Sequence, residues 1–284
     1  HEASRRDFKW DLSRAEWIKG SLHLIDSPAR RAMVERVLAI FESRVTPRLE
    51  TLRRAVIHAD ANDFNVIVGE HGTEPREVSS VIDFGDMHHG LVAAEAAIGA
   101  AYALLGEKDA LAAASAVVRG YHGAYPLLDD EIEVLFPLIL ARLAVSVVNS
   151  AAMKTLRPGD AYVTVSEAPA WNALERLLRF APDVAAAAFR RACDRPAVPH
   201  AAAVVSWIEA NARSMSPVLD VDLRTAPSLV FDLSVASPLL GADPRSTETP
   251  TLTETLRREM KNAGACVGVG RYDEARLLYV SPLF

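Results

Sequence analysis

Between residues 55 and 87 the chain makes three short apolar runs, each ending in a polar loop. Ala55-Val56-Ile57 runs into His58-Ala59-Asp60, Asn65-Val66-Ile67-Val68 closes in the loop from Gly69 to Pro75, and Val78-Ser79-Ser80-Val81-Ile82 runs into Asp83-Phe84-Gly85-Asp86. Runs this short, bounded by turn residues and rich in β-branched side chains, read as strands. The texture then changes. From Leu91 to about Arg191 alanine and leucine recur at helical spacing, predicting a helical region over 91–191 with helices at Leu91–Leu105, Ala110–Tyr121, Asp130–Met153 and Ala168–Phe180. Asp109, Asp129 and Ser166 stand in front of three of them as caps, and Pro158-Gly159 and Pro182 are breaks. A few short strands followed by a long helical stretch predict an α+β fold, mainly α.

Upstream, Ser27-Pro28 is a cap with proline at the first helical position. Met33, Val34, Val37, Leu38, Phe41 and Val45 then recur at helical spacing as far as Pro47. Downstream, Pro196-Ala197-Val198-Pro199 reads as a linker, so the chain is expected to divide into residues 1–196 and a small α+β unit over 200–284. That unit is predicted to hold helices at His200–Arg213 and Thr251–Asn262, and strands at Val218–Leu223, Ser228–Ser234 and Ala275–Val280.

Composition removes several classes. Half of the 284 residues are hydrophobic, enough for a core, which excludes a disordered chain. The net charge is -6, with 31 basic against 37 acidic residues, and this argues against nucleic acid as a main partner. The most apolar stretch, Val134 to Val148, contains Pro137 and Arg142. Leu91 to Leu105 contains Glu95 and is shorter than the roughly 20 residues a membrane span needs, so no membrane partner is expected. Two cysteines, Cys193 and Cys266, are too few for a disulfide framework or a zinc site, and with a polar opening that is no signal peptide they point to the cytoplasm. The opening residue is His1, not methionine, as expected of a piece of a longer protein.

The chemistry concentrates in two segments: a loop over 56–68 and a segment over 81–87. His58-x-Asp60 puts a carboxylate at a strand end, Asn65 offers an amide carbonyl five residues later, and Asp83 places a second carboxylate at the end of the third run. Two carboxylates and an amide oxygen make a hard, oxygen-rich pocket. Nearby anions repel unless a cation lies between them, and Mg2+ with phosphate oxygens is the usual solution. The Asp60-to-Asn65 interval and the Asp83-Phe84-Gly85 triplet both fit the kinase template, with ATP as phosphoryl donor.

On these residues the chain resembles the aminoglycoside phosphotransferase and choline kinase-like family, whose catalytic loop has the form His-Gly-Asp-x-x-x-x-Asn. Ala59 stands where that family has glycine. Ile82-Asp83-Phe84-Gly85-Asp86-Met87, with Asp63-Phe64-Asn65 in the loop, is most similar to its hydroxylysine kinase branch. The resemblance spans about residues 8–190 and implies the C-terminal lobe of a protein-kinase-like fold. It implies Asp60 as catalytic base, Asn65 and Asp83 as metal ligands, and His58 as a brace of the loop. The substrate it implies is a small-molecule hydroxyl acceptor, an amino alcohol or a hydroxy amino acid. Only Lys9 and Lys19 precede the loop as lysines, with no glycine-rich loop, so the expected partner is the chain's own N-terminal lobe and the isolated chain is expected to be inactive. The tail, at Phe231 to Leu240 and Val267 to Arg276, resembles the connector of large fusions with peptidase M23-like and class III aminotransferase domains. Pyridoxal phosphate, PLP, would belong to such a fused downstream domain and not to this chain.

Other residues carry two readings. Glu95 either bonds to the catalytic loop or is an ordinary polar-face residue. Arg142 and Asn149, seven apart on one helix, either bind the acceptor, as Asp86 would, or are surface residues. His88-His89 suggests a metal hydrolase, but no third ligand stands at suitable spacing, so a polar loop is expected there. Gly268-x-Gly270 is expected to be a turn, and Trp171 and Trp207 to be packing residues. The competing function is a non-catalytic kinase-like scaffold or sensor domain, which has no chemical need for Asp60, Asn65 and Asp83 together.

Overall fold

The computed structural model describes residues 8–69, 77–156, 167–180 and 182–195, and the backbone of three strands beyond them. The chain folds as two compact units, His1–Leu178 and Arg179–Phe284. The linker expected at Pro196–Pro199 lies outside the described residues, as do the helices expected at His200–Arg213 and Thr251–Asn262 and the strand at Val218–Leu223.

The first unit is built on one long helix, α4 (Asp129–Leu156), most of whose residues are buried. Pro137 sits within its first three turns, and the helix continues through it. Packed on α4 are α1 (Pro28–Arg44), α2 (Val92–Ala103), α5 (Glu167–Leu177) and a 3-10 segment over Leu12–Leu24. The Ser27 side chain accepts from the Arg30 amide with Pro28 at the first position, which is why α1 starts there. Helix α2 is nearly all alanine on its buried faces, and small side chains let its backbone approach α4 closely. Helix α3 (Ala110–Ala124) is capped by Asp109, whose carboxylate accepts from the Ala112 amide at 2.9 Å, and it packs on α2.

Four short strands form two antiparallel pairs at the edge of this helical body. Strand β1 (Arg54–Ile57) pairs with β4 (His88–Leu91), and β2 (Val66–Val68) pairs with β3 (Val78–Val81). The unit is thus mainly helical with small antiparallel sheets. The His88-His89 pair expected on a loop lies instead in β4, where His88 is buried and its ring meets Phe8 edge-on at 5.0 Å. Gly90 makes that strand possible: a Cβ there would come within 2.7 Å of His88 Nε2 and 2.8 Å of Ile57 Cδ1. Arg53, just before β1, is tied to the N-terminal end of α4 by Glu131, which is 1% exposed and takes Nε at 2.8 Å and Nη2 at 2.5 Å.

The β2–β3 pair and the segments flanking it are apolar and open. Phe64 is 77% exposed, Val78 61% and Phe84 59%, with Ile67, Val68, Val81 and Ile82 exposed around them. Contiguous exposed apolar side chains are unusual on a protein surface and mark a face that something covers.

In the second unit α6 (Pro182–Ala192) starts at Pro182, the expected break. Strands β5 (Val230–Asp232), β6 (Gly268–Asp273) and β7 (Arg276–Val280) form an antiparallel sheet in the order β5-β7-β6. Gly268-x-Gly270 therefore begins a strand, not a turn: it pairs with Leu278–Val280 of β7. Cys193, after α6, is buried, which pushes its thiol up to about 11. No described helix is long and apolar enough to cross a membrane.

Candidate active site

The loop after β1 turns on Ala59, whose φ of 65° is left-handed. Two bonds hold that conformation. The Ala59 amide donates to Glu95 Oε2 of α2 at 3.0 Å, and the Asp60 amide donates to His58 Nδ1 at 3.3 Å. Because Nδ1 accepts, the imidazole hydrogen sits on Nε2, which donates to the Ile82 carbonyl at 2.9 Å. His58 therefore joins the loop after β1 to the residue preceding Asp83.

Asn65 makes a second junction. Its side-chain NH2 donates to Asp60 Oδ2 at 3.0 Å and to the Asp60 carbonyl at 2.9 Å, while its backbone carbonyl accepts from the Ile82 amide at 2.9 Å. With its donor hydrogens turned to Asp60, Oδ1 is the atom that Asn65 can present to a cation. Asp83 follows Ile82 with a left-handed φ of 60°, and its Oδ1 accepts from the Gly85 amide at 3.1 Å. A side chain at Gly85 would bring its Cβ within 2.9 Å of that same oxygen. Asp60, Asn65 and Asp83 thus share one end of the two strand pairs. Asp86 uses its backbone carbonyl to accept from His88 Nδ1 at 3.0 Å.

The Asp60 carboxylate is gripped from three directions. Oδ2 takes Asn62 Nδ2 at 3.0 Å besides Asn65. Oδ1 takes the Tyr102 hydroxyl of α2 at 2.8 Å, and Arg142 Nη2 of α4 lies 3.6 Å from it. Arg142 Nη2 also donates to the Tyr102 oxygen, and Nη1 donates to Ser146 Oγ at 2.9 Å. The Arg142 guanidinium carbon lies over two rings, 4.5 Å from the Trp10 centroid and 5.0 Å from that of Tyr102. Burial pushes the Tyr102 phenol up to about 12; Arg142 opposes the rise and Asp60 adds to it. Asn149, one helical face further along α4, accepts from Lys9 Nζ at 2.8 Å.

Tyr102, Trp10, Ser146 and Lys9 join the site without a motif of their own in the sequence. Tyr102 does carry a signal: it and Glu95 are the two side chains of α2 with hydrogen-bonding groups, seven residues apart and so on one face. Both reach the same loop. Trp171 is buried, as a packing residue would be, and Trp207 lies outside the described residues. Among the described residues no three histidine, cysteine or carboxylate side chains gather as a metal cluster. A cation here would rest on one carboxylate, one amide oxygen and groups brought by a ligand, a hard oxygen set that suits Mg2+.

Residues 1–130 match the family model described as the phosphotransferase enzyme family. The chain is 29% identical to hydroxylysine kinase of Xenopus laevis over 179 residues, 61% of this chain and 48% of that protein. It is 27% identical to hydroxylysine kinase of Mus musculus over 178 residues, 61% of this chain and 47% of that protein. For hydroxylysine kinase of Danio rerio the figures are 26% over 180 residues, 63% and 51%. The chain spans about half the length of these curated relatives. No solved structure matches it. The matched 1–130 stretch holds both loops and all of α2, and Arg142 and Asn149 lie beyond it: the part of the chain that carries Asp60, Asn65 and Asp83 is similar to phosphotransferases.

Proposed function

We propose that this chain is the acceptor-binding, catalytic part of an ATP-dependent kinase that phosphorylates the hydroxyl of a small amino alcohol or hydroxy amino acid. The observation that carries the reading is the double junction at Asn65: its side chain holds Asp60, and its backbone holds Ile82 beside Asp83. A turn-forming role for the aspartates has no need of that convergence. The similarity to hydroxylysine kinases supports the substrate class.

In the proposed reaction the acceptor hydroxyl donates to the Asp60 carboxylate, which orients its oxygen in line with the γ-phosphorus. As the new O–P bond forms, the hydroxyl proton passes to Asp60 and the bond to the β–γ bridging oxygen breaks, leaving ADP. Asn65 Oδ1 and Asp83 would hold Mg2+, which when bound neutralises charge on the phosphate oxygens. His58 and Glu95 keep the loop in its left-handed turn, which in this reading presents Asp60 to the acceptor. The exposed apolar residues of this hairpin and its flanks, among them Phe64, Val78 and Phe84, border the nucleotide site in this reading. A further lobe of the parent protein, bearing the glycine-rich hairpin, covers it. The likeness of the tail to fusion connectors supports a further expectation, that the parent protein also carries a PLP-dependent aminotransferase-type domain.

The test is phosphoryl transfer by the full-length protein from ATP and Mg2+ to a panel of hydroxylysine, homoserine, serine, ethanolamine and choline. Phosphorylation of at least one, abolished by Asp60→Asn, is the expected result. No transfer to any member by the folded full-length protein would overturn the proposal.

A further inference from the structure

Arg142 is an expensive residue for the middle of α4. It is 6% exposed, and among the described residues its buried Nε has no hydrogen-bond partner. Burying a guanidinium is unfavourable unless its surroundings compensate, and an apolar residue of similar volume would pack α4 at least as well. Its charge is directed to one carboxylate, Asp60, directly at 3.6 Å and through the Tyr102 hydroxyl. The Trp10 and Tyr102 rings lie against the guanidinium, and Nη1 donates to Ser146.

We propose that Tyr102 and Arg142 are positioning residues for phosphoryl transfer: they anchor the Asp60 carboxylate of a loop to the two buried helices α2 and α4. The inference rests on the function proposed above. Without them the Asp60 carboxylate keeps, among the described residues, its bonds to Asn62 and Asn65, amides of its own loop, and that loop can carry it away from the attacking oxygen. Bonding to Oδ1 from the helices and to Oδ2 from the loop leaves the carboxylate a single orientation about Cβ–Cγ. Displacement of a reacting group by about 1 Å costs on the order of a hundredfold in rate.

The experiment compares full-length wild type with Tyr102→Phe, Arg142→Lys and Tyr121→Phe, using the best-phosphorylated member of the panel above. Tyr102→Phe keeps the ring beside Arg142 and deletes both hydroxyl bonds, the one given to Asp60 and the one taken from Arg142. Its kcat is expected to fall roughly tenfold to hundredfold, with KM for ATP unchanged and the thermal midpoint little altered. Arg142→Lys keeps the charge but loses the planar fork, and is expected to fall comparably. Tyr121→Phe removes a phenol whose hydroxyl, among the described residues, donates to the Val92 carbonyl alone, at 3.4 Å, and kcat should be unchanged. An unchanged kcat in Tyr102→Phe, or an equal fall in Tyr121→Phe, overturns the assignment while leaving the kinase reading intact. A wild type that phosphorylates no panel member overturns that reading and this assignment with it.

Discussion

The imidazole of His58 donates from Nε2 to the carbonyl of Ile82 at 2.9 Å while its Nδ1 accepts from the Asp60 amide, so one side chain ties the residue before Asp83 to Asp60 itself. Its ring also meets Phe84 edge-on at 5.2 Å. His58→Phe preserves a ring against Phe84 and removes both hydrogen bonds. A net hydrogen bond contributes about 0.5–1.5 kcal/mol, so a loss of about 1–3 kcal/mol is expected in urea unfolding. Unchanged stability would show that solvent replaces both bonds and that His58 braces nothing.

Asp60 and Asp83 should fail in different ways. In the full-length protein Asp60→Asn is expected to lower kcat by roughly 10²–10⁴-fold with little change in nucleotide affinity, the range found for loss of a positioned general base. Asp83→Asn should instead raise the Mg2+ and ATP concentrations needed, with partial recovery at high Mg2+. Steady-state kinetics over a Mg2+ series separates the two. Equal loss of metal affinity in both, with turnover intact at saturation, would reverse the roles assigned here.

Ala59 holds a left-handed φ of 65° that costs an L-residue roughly 1–2 kcal/mol. Glycine adopts it freely but loses roughly 0.5–1 kcal/mol more unfolded-chain entropy. Ala59→Gly should therefore stabilise by up to about 1 kcal/mol, a rise of about 2–4 °C in thermal midpoint for a unit of this size. The bond from its amide to Glu95 survives the change. A fall in midpoint would mean that the buried methyl contributes more than the strain removes.

Tyr102 and Tyr121 both have phenols pushed up to about 12, each chiefly by burial. An acid raised on folding keeps its proton in the native state while the unfolded chain releases it near pH 10. Their contribution is complete below about pH 10 and is lost as pH rises toward 12. The loss is bounded at about 2–3 kcal/mol for Tyr102 and is smaller for Tyr121, which is half-buried and more screened by solvent. Urea midpoints followed through this range, with tyrosinate absorbance on the native protein, check it. Tyr102→Phe should flatten the decline, and a decline unchanged by that substitution would assign it elsewhere.

Much of the helical framework is legible in the sequence because caps and periodicity are local. Ser27-Pro28 and Asp109 start helices where their side chains accept the expected amides. The 3-10 segment escapes such a reading because its buried residues, Leu12, Ala15 and Ile18, are three positions in a run too short to separate a 3-10 from an α-helical stripe. Strand β4 escapes it because His88-His89-Gly90-Leu91 has no β-branched residue; its extended form comes from pairing with β1 and from the space that Gly90 leaves. In the site, Asp60, Asn65 and Asp83 can be read from spacing within about 30 residues of chain. Arg142 and Tyr102 cannot be placed beside Asp60 that way, since they arrive from 82 and 42 residues away through helix packing that no local pattern encodes.

The open hairpin also governs how the molecule behaves in concentrated solution. A net charge of -6 keeps copies apart only over a distance set by the Debye length, about 8 Å at physiological salt. Once that barrier is screened, approach is decided by the patch that meets, and at Phe64, Val78 and Phe84 the patch is hydrocarbon beside a two-stranded sheet with open edges. Added salt should therefore raise the light scattering of this chain instead of lowering it, and a mild detergent should reverse the rise. Colloidal stability here is a property of a few exposed apolar side chains and not of the overall charge.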